Sequence, residues 1–256
     1  MNRRQLLKSS LATGSVAAMS SALAAEAPAP EYYELRSYHL RRGPMVTGFD
    51  SFFRDVAIPA WNRAGAGPIG VFDVSVGSDI PSKFVLLPFA SPGALMEAHD
   101  RFANDPAVKA AEFSNAPATA PSYLRVESSL LRAFSTIPKL EVPPATPRIF
   151  ELRSYESHNE KAHQTKVEMF NAGEIALFRR TGLTPVFFGE GLIGSRLPNL
   201  TYLLTYPDMA AREKSWDTFR NDPEWKKLST TPGYTDPEIV TNISNVLLKP
   251  APYSQI

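Results

Sequence analysis

The sequence predicts an α+β fold made twice: two β-α-β-β-α-β units in tandem, packed sheet against sheet within one chain. Three observations carry this. The hexapeptide YELRSY (Tyr33–Tyr38) returns 117 positions later as FELRSY (Phe150–Tyr155). The same offset lays DRFANDPAVK (100–109) on DTFRNDPEWK (217–226), Gly77 on Gly194, and Leu130-Leu131 on Leu247-Leu248, which marks a tandem duplication. Between the copies, STIPKLEVPPATP (135–147) holds four prolines in thirteen residues, a stiff extended linker.

Each element follows from local pattern. In the first unit (31–134), residues 31–41 alternate and are rich in Tyr, which predicts a strand. Residues 44–64 place Phe49, Phe52, Phe53 and Val56 at helical spacing; Gly65 and Gly67 stop that helix, and Pro59 is expected to kink it or end it early. Strands are predicted at 68–77 and 83–89 around the turn Gly77-Ser78-Asp79. A helix spans 91–102. Asp105 and Pro106 then start a short one, the aspartate capping free N–H groups and the proline sitting where its missing N–H costs nothing. A strand at 122–134 completes the unit. The second unit (148–250) predicts strands at 148–156, 184–194, 199–206 and 237–248, and helices at 159–181, 208–219 and 222–229. This order is the ferredoxin-like one, a four-stranded antiparallel sheet with helices on one face. Two such sheets face to face cover each other, so an eight-stranded barrel-like core with helices outside is expected.

The N-terminus reads as an export signal. Arg3-Arg4 and Lys8 precede an Ala/Ser/Leu stretch that ends at Ala22-Leu23-Ala24, and no acidic residue comes before Glu26. Residues 1–24 are therefore expected to be a twin-arginine signal peptide and 25–30 a disordered spacer. Cleavage is expected after Ala24, with Ala27 as the alternative, and the mature protein is expected in the periplasm or otherwise exported. No other run reaches the roughly 18–20 apolar residues of a membrane span. Removing Arg3, Arg4 and Lys8 from 27 basic residues leaves 24 against 26 acidic ones. That balance gives no electrostatic basis for a nucleic-acid partner. With no cysteine, disulfides, thiolate catalysis and iron–sulfur clusters are excluded.

Several motifs now point to a family. Glu34-Leu35-Arg36-Ser37-Tyr38, Gly43, Pro59, Gly70, Gly77 and Asn104-Asp105-Pro106 stand in the first half. Glu151-Leu152-Arg153-Ser154-Tyr155, Gly182, Gly194, Asn221-Asp222-Pro223-Glu224-Trp225 and Leu247-Leu248-Lys249-Pro250 stand in the second. Over residues 31–250 the chain resembles the NIPSNAP family of the dimeric α/β-barrel superfamily. Ala107-Val108 departs from the Trp-containing motif of the second half, and Pro88 falls inside a predicted strand. The resemblance implies two ferredoxin-like units closing one barrel. It links the chain to monooxygenases and haem-dependent dismutases of that superfamily and to interaction roles in mitochondria, but carries over no catalytic residue.

Alternation splits the hexapeptide into two rows. Tyr33, Leu35, Ser37 and His39 are expected to face the helices. Glu34, Arg36 and Tyr38, with Glu151, Arg153 and Tyr155, are expected to face the barrel interior. Buried charges must be paired, so these six form either a hydrogen-bonded layer fixing strand register or a polar ligand pocket. In the pocket, the arginines would bind an anionic or carbonyl group and the tyrosines would orient it. The histidines give no metal constellation: His39 is expected on the helix side, His99 aligns with Trp216 as packing, and His158 and His163 stand five apart. No metal and no cofactor are expected. GEGLIG (189–194) reads as a strand or bulge rather than a phosphate loop, and Phe72, Phe187, Phe188, Trp61 and Trp216 as core. The functional expectation is an exported protein that binds a small molecule or a protein partner. The alternative is an oxidoreductase of monooxygenase type, cofactor-free or haem-assisted.

Overall fold

The computed structural model describes residues 28–146 and 148–256; the signal peptide expected over 1–24 lies outside the described residues. The first unit runs β1 (Tyr32–His39), α1 (Pro44–Phe52), α2 (Ile58–Ala64), β2 (Gly70–Val76), β3 (Ser82–Phe89), α3 (Pro92–Asn104), α4 (Pro106–Ala110), β4 (Arg125–Ala133). The second runs β5 (Ile149–Glu156), α5 (Glu160–Met169), α6 (Ile175–Arg180), β6 (Thr184–Ile193), β7 (Asn199–Tyr206), α7 (Met209–Asn221), α8 (Pro223–Ser229), α9 (Asp236–Ile239), β8 (Asn242–Pro250).

All eight strands close into one antiparallel barrel in the order β1-β3-β2-β8-β5-β7-β6-β4. The seams between the units are β2–β8 and β4–β6. Following the antiparallel pairings around the barrel, β1 and β5 run the same way, so the pseudo-two-fold axis lies along the barrel. Equivalent hairpins of the two units therefore share one end, here called the mouth. At the β4–β6 seam the register shifts between Leu130 and Leu131. A Cβ on Gly189 would stand 2.9 Å from the Leu131 Cβ, so glycine there lets the strands close.

The opposite end is plugged. After β4 the chain crosses to the second unit, where Glu141 donates its N–H to the Val186 carbonyl (2.8 Å) and Leu140 packs into the barrel. After β8 the chain crosses to the first unit: Gln255 N–H donates to Ile69 O (2.9 Å) and Ile256 is fully buried in the barrel.

Both units break their first helix with a π-turn at the same repeat position, Phe53–Ala57 and Phe170–Glu174. Pro59 was expected to kink or end the helix; instead it sits in the first turn of α2, just past the π-turn. The second unit makes the same turn with Ala176 at that position, so the turn belongs to the unit rather than to the proline. The widened turn lets consecutive Phe52 and Phe53 both bury. The expected strand over 237–248 begins late because Asp236–Ile239 first forms a helical turn.

The predicted caps form. Asp105 accepts from Ala107 N–H (2.9 Å), and Asp222 from Glu224 N–H (2.9 Å) and Trp225 N–H (3.2 Å). Asp222→Ala is expected to cost about 1–2 kcal/mol in chemical denaturation, and Asp222→Asn most of it less. Among the described residues no helix is long and apolar enough to cross a membrane.

Candidate functional site

Both faces of β1 and β5 are covered, one by the opposite half and one by helices, so alternation alone does not say which row points in. The structure reverses the expected phase. Tyr33, Leu35, Phe150 and Leu152 pack inside the barrel with Phe72, Leu86 and Phe187. Glu34, Arg36, Tyr38, Glu151, Arg153 and Tyr155 lie on the outer face, under the helices. The physical reason is that the helices supply partners there, whereas the interior of a closed barrel supplies mostly the apolar rows of the other strands.

The outer clusters are equivalent but unequal. In the first unit, Glu34 accepts from Arg36 Nε (2.8 Å) and Ser128 Oγ (2.7 Å), and His99 Nε2 stands 2.7 Å away. The Arg36 guanidinium lies over Trp61 (5.1 Å). In the second, the fully buried Glu151 accepts from Arg153 Nη1 (2.9 Å), Trp216 Nε1 (2.9 Å), Asn245 Nδ2 (2.9 Å), Tyr206 Oη (3.2 Å) and Arg212 Nε (2.9 Å). Arg153 lies over Trp216 (4.7 Å). Thus His99 and Trp216, paired by the repeat, do more than pack: each aims a ring nitrogen at the carboxylate. Burial opposes ionisation of Glu34, but the bonds from His99, Arg36 and Ser128 win and hold its carboxyl at about 2. Glu151 is also held below the usual range, against burial, chiefly by Arg212 and Arg153. These are satisfied networks. Arg153 and Tyr155 do border an outer cleft of about 370 Å³ between the second sheet and its helices.

That cleft holds a pair the sequence reading missed. Lys166 Nζ lies 3.2 Å from Glu174 Oε2, and both side chains are almost wholly buried. The ammonium also sits over Phe170 (4.9 Å), Tyr155 (5.6 Å) and Trp225 (5.8 Å). Burial pushes the Glu174 carboxyl up. Burial works against the Lys166 ammonium too, but Glu174, Tyr155 and Asp236 outweigh it and raise its pKa. The one available signal was the repeat itself, which aligns Lys166 with Phe49 and Glu174 with Ala57.

A second cavity lies in the barrel interior. From the mouth, a cavity of about 390 Å³ runs inward, lined by both units. Its depth is apolar: Leu35, Leu152, Phe84 and Val246 among others. Its upper wall carries hydroxyls from Ser37, Ser82, Ser129, Ser154, Thr201 and Ser244. Ser154 and Thr201 bond each other (2.7 Å). The buried Ser82 Oγ finds no hydrogen-bond partner among the described residues. His39 stands at the mouth, on the cavity side and not against the helices as expected. Its Nε2 is 3.3 Å from Glu127 and its Nδ1 3.6 Å from Asp79. Among the described residues no cluster of His, Asp and Glu has the arrangement of a metal site.

Fold and cavity define the class: an α/β barrel closed by two ferredoxin-like halves around an interior pocket. Within it, the NIPSNAP family model matches residues 33–138 and 150–255, and the chain belongs to the NIPSNAP family. No curated protein matches the chain. The fold is similar to a candidate monooxygenase from Lactobacillus acidophilus (TM-score 0.58, 10% identity, 86% of this chain and 94% of that one). It is similar to another from Fusobacterium nucleatum (TM-score 0.57, 9% identity, 87% and 93%). A NIPSNAP-like domain protein of Burkholderia xenovorans, 21% identical with a TM-score of 0.38, matches over 42% of this chain and 89% of its own.

Proposed function

We propose that the chain is a binding protein whose barrel takes up a small, mainly apolar molecule bearing a hydroxyl or carbonyl group. One observation carries this: a cavity of about 390 Å³, built by both repeats, in which the buried Ser82 hydroxyl has no hydrogen-bond partner among the described residues. Small-molecule sites span roughly 300–1,000 Å³ and pair apolar walls with a few placed polar groups. An unmet buried hydroxyl costs about 1–3 kcal/mol, which a guest can relieve. The six Glu, Arg and Tyr residues of the two hexapeptides then act behind the wall, holding strands and helices together.

The test uses a neutral apolar probe, N-phenyl-1-naphthylamine, whose fluorescence rises on burial, beside mass spectrometry of molecules that co-purify. One probe per chain is expected. Leu35→Trp, which fills the cavity, should weaken probe binding at least about tenfold. Ser82→Ala should lower retention of the co-purifying molecule while the probe, which needs no polar contact, still binds. Arg36→Ala should leave probe binding within about twofold, since Arg36 sits outside the wall. Loss of probe in Arg36→Ala but not in Leu35→Trp would place the guest elsewhere.

His39 supports a second reading, a cofactor-free oxidoreductase. An imidazole between Glu127 and Asp79 at the cavity mouth can take a proton from a guest's acidic C–H or O–H group. The haem-assisted form belongs to the same alternative and would show as a Soret band in the purified protein. His39→Ala should abolish oxygen consumption with a co-purifying substrate and spare probe binding. Export by the twin-arginine route belongs to the same proposal; the N-terminal residue of periplasmic protein, Ala25 or, for the alternative cut, Pro28, would check it.

A further inference from the structure

Exposed apolar side chains are ordinary when scattered, but here they are placed by the repeat. Val76 (60% exposed) matches Ile193 (64%) under the 117 offset, and Ile80 (46%) matches Leu197 (44%). Val76 and Ile193 stand just before the two mouth hairpins, Gly77–Pro81 and Gly194–Pro198, and Ile80 and Leu197 stand within them. Because the pseudo-two-fold runs along the barrel, these hairpins stand on opposite sides of the mouth and form a two-sided apolar rim.

We infer that this rim is a self-association surface on which a second copy of the chain sits mouth to mouth. Charge selects this occupant and its register. A two-fold axis across the barrel axis can set each hairpin on its like or on its counterpart. The two arrangements are nearly equivalent in shape, because the hairpins are copies. They differ in charge at one position: Asp79 in the first hairpin is Arg196 in the second, and both side chains are about 60% exposed. Like on like would set Asp79 against Asp79 and Arg196 against Arg196. The crosswise register instead makes two Asp79–Arg196 pairs, one at each end of an isologous, closed interface. Arg196 is also the only non-glycine with positive φ (59°) among the described residues. The chain accepts a sparsely populated backbone state to hold that cation at the hairpin tip. An anionic bilayer is the weaker match for the rim. Nearby Arg125 and Arg196 are balanced by Asp79 and Glu127, so there is no basic excess to draw the mouth to it.

Sedimentation velocity of the purified chain at micromolar concentration, with and without high salt, tests this. The expected result is a dimer. Ile193→Asp should raise its dissociation constant at least about tenfold, and so should Asp79→Arg or Arg196→Asp alone. The double variant Asp79→Arg with Arg196→Asp restores the crosswise pairs and should recover the dimer. All three sites are exposed, and unchanged circular dichroism and melting confirm that each variant folds. A monomer throughout, a dimer that none of these variants disturbs, or a double variant no better than the singles would overturn the inference. Probe binding in the barrel is read separately, so either result can fail alone.

Discussion

Replacing Glu151 with alanine is expected to destabilise the protein by about 3–5 kcal/mol, the cost of stranding buried charge. Two guanidiniums, Arg153 and Arg212, lose their common carboxylate, and Trp216, Tyr206 and Asn245 lose an acceptor. Thermal unfolding should show a drop of about 10 °C or more. Glu34→Ala should cost less. Its cluster holds only Arg36 as a permanent charge, because the first unit has Leu95 where the second has Arg212. A Glu34 loss equal to or larger than the Glu151 loss would refute this ranking. The acid limb follows from the same chemistry. The Glu34 carboxyl titrates at about 2 when folded, against an ordinary 4.5. A depressed folded value gives stability that is whole above about 4.5 and is lost as pH falls toward 2. The amount is on the order of 3 kcal/mol. In Glu34→Gln this part of the acid dependence should vanish.

Lys166→Met is expected to cost about 3–5 kcal/mol, because it takes from the buried Glu174 the ammonium bonded to it. The loss should deepen as pH rises above about 4.5. A buried carboxyl with a raised pKa binds its proton more tightly folded than unfolded, so stability falls once the unfolded state ionises. The double variant Lys166→Phe with Glu174→Ala should behave oppositely. It reproduces Phe49 and Ala57, which the first unit already packs at the same two positions. Well-packed apolar replacements of buried ion pairs are neutral or stabilising by up to about 4 kcal/mol. Urea denaturation of both variants decides the matter. A double variant weaker than the single would mean that the ion pair itself stabilises this half.

The duplication, the strand and helix order, the Asp-Pro helix starts and the closed barrel were legible because one offset governed every landmark. The inward row was not. A hexapeptide such as YELRSY alternates between two buried faces, and its pattern cannot tell a sheet's inner neighbour from its outer one. The same limit hid His39, which followed the phase of Leu35 into the cavity. Ser82 carried no local signal at all: a lone serine at a strand start gains meaning only from the Phe84 and Leu86 row it continues inward. Lys166 and Glu174 stand eight apart across a π-turn, a spacing that regular helical periodicity does not bring together.

The crossing tails have a further consequence. Were the barrel made of two identical chains, every substitution would appear twice, and neither half could depart from the other. Here the segment carrying Leu140 and the terminus carrying Ile256 each seal the barrel against the sister half, inside one polypeptide. That covalent closure frees the halves to drift apart. His39 can face Glu156 across the mouth, Asp79 can oppose Arg196, and Lys166 can stand where its twin is Phe49. The barrel has thereby gained two chemically distinct sides.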